Sequence, residues 1–127
     1  MGSDLAALMV RQGMPTIVKE VNSELANQAL TKIHQRIDGW EQKGKISRSE
    51  AESKKALLAV MDNYADLQDQ GLLVIEAVPE NLELKQKIFS ELETNLPKDA
   101  ILVSNTSSLP IKQLADKLND KSRLVGM

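Results

Sequence analysis

Cysteine is absent, and aromatic residues make up only 2% of the chain. The first absence excludes a disulfide framework and any thiolate metal site; no metal site is expected, and a reducing compartment fits. The second means that the core is aliphatic, built from Leu, Ile, Val, Ala and Met. A clustered basic patch is also missing. Net charge is −2 with both signs interspersed, which argues against a nucleic-acid surface. No apolar run approaches the roughly 20 residues that cross a bilayer, so no membrane span is expected. The opening "MGSDLAALMVRQG" is not patterned as a secretory signal: Asp4 precedes the apolar part, and no small-residue cleavage site follows. What remains is an ordinary apolar share of 42% over 127 residues, enough for one domain or part of one.

Helices and strands alternate along the chain. Apolar residues at 5, 6, 8, 9 and 10 suit a short helix over 3–12, stopped by Gly13. "TIVKEV" (16–21) reads as a strand. Asn22 or Ser23 caps a helix whose inner stripe is Leu25, Ala29, Leu30, Ile33, Ile37 and Trp40. "KGK" (43–45) breaks it. "SRSE" (47–50) is a capping box that opens a helix through about Leu58. "LLAVM" (57–61) either finishes that helix or holds a short strand. "LLVIEAV" (72–78) and "AILVS" (100–104) read as strands buried on both faces, as in parallel sheets. Between them, residues 81–96 form an amphipathic helix with Leu82, Leu84, Ile88, Leu92 and Leu96 inward. Pro110 begins a helix over "IKQLADKL", and "RLVGM" (123–127) is a last strand. The fold class is therefore α/β, with parallel strands joined by right-handed crossovers. His34 and the pair Lys54 and Lys55 read as solvated helix faces, Trp40 as a core or interface plug, and the methionines as core filler.

Ligands of open parallel sheets bind outside the carboxyl ends of the strands. Here those ends are Glu20, the "VPEN" corner at 78–81, and "SNTSS" at 104–108, each unusually polar after an apolar run. Five small hydrogen-bonding residues in a row exceed what a turn needs, although a β-to-α turn with a helix cap also favours Ser, Thr and Asn. Gly2 stands before a helix, and an acidic residue follows 18 positions later at Glu20. That spacing fits the end of a dinucleotide-binding loop, without its first two glycines or the strand before them.

Taken together, "VIEAVPENLELKQKIFSELE", "AILVSNTSSLPI", the closing "VGM", "TIVKEVN" and "KGKIS" resemble the NAD-binding domain of 3-hydroxyacyl-CoA dehydrogenases, as found in multifunctional fatty-acid β-oxidation proteins. The resemblance covers essentially the whole chain. It implies a Rossmann-type parallel sheet that is incomplete, lacking the first strand and part of the glycine-rich loop. Residues 1–127 would be a partial NAD-binding domain without the helical C-terminal domain for substrate and dimerisation.

The resemblance also implies roles. Met1 and Gly2 match the end of the glycine-rich loop. Glu20 matches the acid that binds the adenosine ribose, one methylene longer than the Asp often found there. Val78, Pro79, Glu80 and Lys85 match a segment that contacts NAD. Ser107 matches the serine near the nicotinamide and the substrate oxygen, with Asn105 shaping the loop beside it, and Lys43 falls near a lysine that meets the CoA phosphates. The catalytic histidine of the family would follow Met127. The implied activity is oxidation of an L-3-hydroxyacyl-CoA with NAD as cofactor and an acyl-CoA as substrate, in a homo-oligomer or a longer multifunctional chain. The location would be cytoplasmic in a bacterium and peroxisomal or mitochondrial in a eukaryote. The alternative is a noncatalytic truncated module that persists by pairing its open strand edges.

Overall fold

The computed structural model describes residues 2–64 and 72–127, and the chain divides into two units, 1–63 and 64–127. Met1, named above for the glycine-rich loop, lies outside the described residues. Among those described, no helix is long and apolar enough to cross a membrane.

The first unit runs α1 (Gly2–Arg11), β1 (Thr16–Lys19), α2 (Ser23–Gln42), α3 (Arg48–Ala56) and β2 (Leu58–Met61). The ambiguous "LLAVM" is thus a strand. It pairs in parallel with β1, Thr16 opposite Leu58 through Lys19 opposite Met61. Local chemistry sets the helix ends. After α1, the Gly13 N–H bonds to the Val10 carbonyl and the Met14 N–H to the Met9 carbonyl, a six-to-one closure that needs positive φ at Gly13 (85°). Gly44 repeats this closure after α2. Asn22 caps α2 by accepting from the Leu25 N–H, and Ser47 and Glu50 complete the capping box of α3. The core gathers Ala6, Ala7, Val10, Ile33, Ile37, Trp40, Ala51 and Leu58. Alanines at the contacts let the helices approach closely, while each fully buried Ile adds about 1.5–3 kcal/mol.

Three side-chain readings need correction here. Leu25 is exposed and Ala26 takes its place on the inner stripe. Lys54 and Lys55 are half-buried rather than free: Lys54 donates to the Arg11 carbonyl, and Lys55 pairs with Asp38 at 2.6 Å. His34 is half-buried, and its Nε2 is enclosed without a hydrogen-bond partner. Trp40 is a core residue, as read, with the Arg11 guanidinium 5.0 Å from its ring centre.

The second unit runs β3 (Leu73–Glu76), α4 (Leu82–Asn95), β4 (Ile101–Ser104), α5 (Ile111–Leu114), a 3₁₀ turn (Lys121–Arg123) and β5 (Leu124–Gly126). Its three strands are parallel in the order β3-β4-β5, the two crossovers passing through α4 and α5. Val74, Leu102 and Leu124 pack with Phe89, Leu92, Leu96, Leu114 and Leu118. β4 is buried on both faces from Leu102 to Ser104, as the sequence predicts, whereas Ile101 at its start and Leu73 and Val125 on the neighbouring strands are exposed. The Arg123 guanidinium donates to the carbonyls of Pro97 and Ala100, fixing the approach to β4. On the 81–96 segment Leu82, Ile88, Leu92 and Leu96 pack on the core as expected, but Leu84 does not. Lys85, Gln86 and Phe89 are buried as well. The lysine can be buried in this way because two carboxylates wait for it. Methionine is no core filler throughout: Met14 and Met127 are exposed.

Candidate functional site

Two strand ends build the site of the second unit. Parallel pairing sets Glu76 opposite Ser104, and both side chains are fully or almost fully buried. Burying a carboxylate is costly unless donors and an opposite charge surround it. Glu76 has both. Its Oε1 accepts from the Val78 N–H at 2.8 Å, and its Oε2 accepts from the Ser104 hydroxyl at 2.7 Å. Lys85 Nζ, wholly buried on α4, reaches both carboxylate oxygens at 3.0 and 3.1 Å.

Lys85 does not stop there. Its Nζ lies 2.6 Å from Glu80 Oε1, and Glu80 Oε2 accepts from the hydroxyls of Thr106 and Ser108, each at 2.7 Å. Thr106 Oγ1 accepts in turn from the Leu109 N–H at 3.0 Å. The backbone adds a further tie, the Asn105 N–H to the Glu76 carbonyl at 3.0 Å. A continuous chain of contacts therefore runs from Ser104 through Glu76, Lys85 and Glu80 into the 105–109 loop. Electrostatics follow from this geometry. Hydrogen bonds from Lys85, Ser108 and Thr106 hold the Glu80 carboxyl down at about 2. Burial pushes Lys85 down, but its bonds to Glu80 and Glu76 outweigh that and leave it raised.

The run of small polar residues now has a division of labour. Ser104 secures Glu76, Thr106 and Ser108 secure Glu80, and Ser107 is left exposed between them. Of the residues named from the sequence, Val78, Glu80, Lys85, Asn105 and Ser107 are brought together around these two loops, with Pro79 in the turn and its carbonyl taken by the Asn81 N–H. Glu76 was not singled out, and Ser104, Thr106 and Ser108 were named only as members of the polar run at 104–108. One signal could have found the first of them: a lone acid in an apolar strand, nine positions before a lysine, implies a buried pair.

The remaining named residues belong to the first unit. Gly2 opens α1. Glu20 follows β1 and is half-buried; its N–H bonds to the Met61 carbonyl, and its own carbonyl accepts from Lys19 Nζ at 2.9 Å. Lys43 closes α2 and is exposed.

Parallel strands, helical crossovers and polar residues gathered at the carboxyl ends define an α/β domain of the doubly wound, nucleotide-binding class. The particular family is resolved by comparison: residues 1–127 match 3-hydroxyacyl-CoA dehydrogenase, NAD binding domain, and the chain belongs to that family. It is 33% identical over 126 residues to the peroxisomal fatty acid β-oxidation multifunctional protein MFP2 of Arabidopsis thaliana, covering 99% of this chain and 17% of that protein. The glyoxysomal multifunctional protein MFP-a of Brassica napus is 32% identical over the same extent. Among solved structures, FadB2 of M. tuberculosis superposes with a TM-score of 0.91 at 34% identity, covering 99% of this chain and 44% of that one. The 3-hydroxybutyryl-CoA dehydrogenase of Escherichia coli gives 0.90 at 28% identity, covering 99% and 26%. The chain thus spans 17% of the length of the multifunctional relatives it matches.

Proposed function

We propose that this chain is the nicotinamide-nucleotide-binding part of an enzyme that oxidises L-3-hydroxyacyl-CoA to 3-oxoacyl-CoA in fatty-acid β-oxidation. The observation that carries the reading is the whole-chain family match, joined to the interlocked strand-end loops at 76–80 and 104–109. The donor set fits NAD. Glu20 offers a carboxylate that accepts ribose hydroxyls and repels a 2′-phosphate, and Val21 and Asn22 follow it rather than an arginine. Gly2 stands at the N-terminus of α1, where backbone N–H groups favour phosphate. In the second unit Val78, Pro79 and Glu80 form one wall of the proposed site, with the buried Lys85 holding Glu80 from behind, and Asn105 and Ser107 form the other. Bound there, NAD supplies the hydride acceptor. The Ser107 hydroxyl orients the reacting oxygen by a hydrogen bond, and Lys43 meets the CoA phosphates.

The base is a histidine outside these 127 residues. The single histidine present, His34, lies half-buried in α2. Full-length protein is therefore expected to form NADH from an L-3-hydroxyacyl-CoA, read at 340 nm, while the 127-residue chain alone gives no turnover. Absence of NADH formation by the full-length protein would overturn the proposal. The partners this reading implies are the acyl-CoA and either a second copy or the rest of a longer multifunctional polypeptide. In a eukaryote the peroxisome is the compartment favoured by the relatives' names, with the mitochondrion also compatible; in a bacterium it is the cytoplasm.

A second reading rests on a separate observation. Among the described residues β1 pairs only with β2, and β3 only with β4, so each has an open edge. A noncatalytic module could persist by pairing those edges with another copy.

A further inference from the structure

We propose that Glu76 is a positioning residue for cofactor binding: from inside the sheet it fixes the 77–81 turn directly and the 105–109 loop through Lys85 and Glu80. The inference rests on the reading of this chain as a nicotinamide-nucleotide-binding domain, and it adds a residue that touches neither cofactor nor substrate.

The geometry singles out Glu76 among the members of the network. Its side chain bonds to the 77–81 turn, to the helix that follows and to the last residue of β4, from which the second loop departs. Oε1 holds the Val78 N–H, two residues on, so the chain cannot leave β3 in another direction without surrendering that bond. Oε2 holds Ser104, the last residue of β4, and the Glu76 carbonyl holds the Asn105 N–H. Together these fix where the second loop departs. Lys85 then transmits the position of Glu76 to Glu80, whose other oxygen gathers Thr106 and Ser108. Two carboxylates share one lysine here. Lys85 and Glu76 are wholly buried and Glu80 is partly exposed, so Glu76 is the partner that holds the ammonium from inside while Glu80 meets it from the rim. Ser107, between the two anchored hydroxyls, owes its place to this chain of contacts.

The test uses full-length protein with Glu76→Gln and, separately, Ser104→Ala. The first keeps shape but removes the charge that holds Lys85. The second removes one donor to Glu76 without unpairing a charge, and it serves should the first fail to fold. Two measurements are made: NADH affinity by fluorescence titration, and backbone amide exchange at 77–81 and 105–109 without cofactor. Losing a hydrogen bond to a charged group corresponds to about a tenfold weaker NADH affinity in Glu76→Gln, and the neutral donor in Ser104→Ala to about threefold. Exchange should accelerate in both loops, including 105–109, which Glu76 reaches by side chain only through Lys85 and Glu80. Replacing Lys85 by Met in the Glu76→Gln background should add less loss of affinity than Lys85→Met alone, because the two act in series. Unchanged exchange at 105–109 together with unchanged affinity, or fully additive losses, overturns the proposal. An unsubstituted protein that binds no NADH overturns the functional reading instead, while the exchange data still decide whether Glu76 locks the two loops.

Discussion

Lys85 shows how a single residue can contradict its own helical pattern. Leu82, Leu84, Ile88, Leu92 and Leu96 point to an aliphatic inner face, yet the structure buries Lys85 and Gln86 beside it and exposes Leu84. Periodicity reports transfer free energy, and it is blind to a carboxylate nine residues away that makes a buried ammonium tolerable. Removing one partner of such a pair leaves an uncompensated charge inside. Lys85→Met is therefore expected to cost about 3–5 kcal/mol, seen as a lower midpoint in urea denaturation. The pH response belongs to the same network. Glu80 has its pKa lowered from 4.5 to about 2 on folding. Its contribution to stability is thus present above pH 4.5 and is lost as pH falls from there through 2. Denaturation midpoints measured between pH 6 and 2 should fall in that window, and Glu80→Gln should flatten part of the decline. Lys85 is raised on folding, so its contribution holds below its ordinary value of 10.5 and is lost only as pH rises beyond it. Loops tied by Glu80 and Lys85 should accordingly stay tied throughout the physiological range.

At the level of elements, signals confined to a few neighbouring residues translated directly into structure. Gly13 and Gly44 close α1 and α2, Asn22 opens α2, and Ser47 with Glu50 opens α3, because each cap depends on residues at most six apart. What needed distant partners was less legible. "LLAVM" could be assigned only once β1 lay beside it, and α5 is a single turn where eight residues were expected. Gln113, at the end of that turn, gives its carbonyl to the Gln86 amide at 2.7 Å, a long-range contact that no local pattern contains. The site divides in the same way. Glu80, Lys85, Asn105 and Ser107 were legible through contiguous motifs, whereas the Glu76–Ser104 contact spans 28 residues and exists only after β3 and β4 register. The cap chemistry is open to direct measurement. Gly44→Ala forces a side chain into φ of 71° and is expected to destabilise by about 1–2 kcal/mol. Ser47→Ala removes an acceptor from the Glu50 N–H and should cost about 1 kcal/mol. Thermal denaturation of the two variants checks both values, and indifference to Gly44→Ala would mean that the closure after α2 is not what ends that helix.

For the molecule as a whole, strand order carries the argument. A classical dinucleotide-binding sheet has the order 3-2-1-4-5-6. Each unit taken by itself is consistent with a contiguous part of such a sheet: the parallel pair β1-β2 in the first and the parallel order β3-β4-β5 in the second. Among the described residues β1 pairs with a strand on one side only, and so does β3, so each offers an edge whose N–H and C=O groups need partners. Such groups cost about 1–3 kcal/mol apiece when buried without a partner. A small domain has only about 5–15 kcal/mol of stability to set against them. An unpaired edge is also a template for another strand. A polypeptide of these 127 residues alone should therefore either unfold at low concentration or associate through its edges. Sedimentation velocity over a hundredfold range of concentration, read beside circular dichroism, distinguishes these outcomes. The expected result is a sedimentation coefficient that rises with concentration, or a dilute chain without cooperative melting. A monomer that stays folded and melts cooperatively at every concentration would show that both edges can be left bare, and the edge-pairing reading would fall with it.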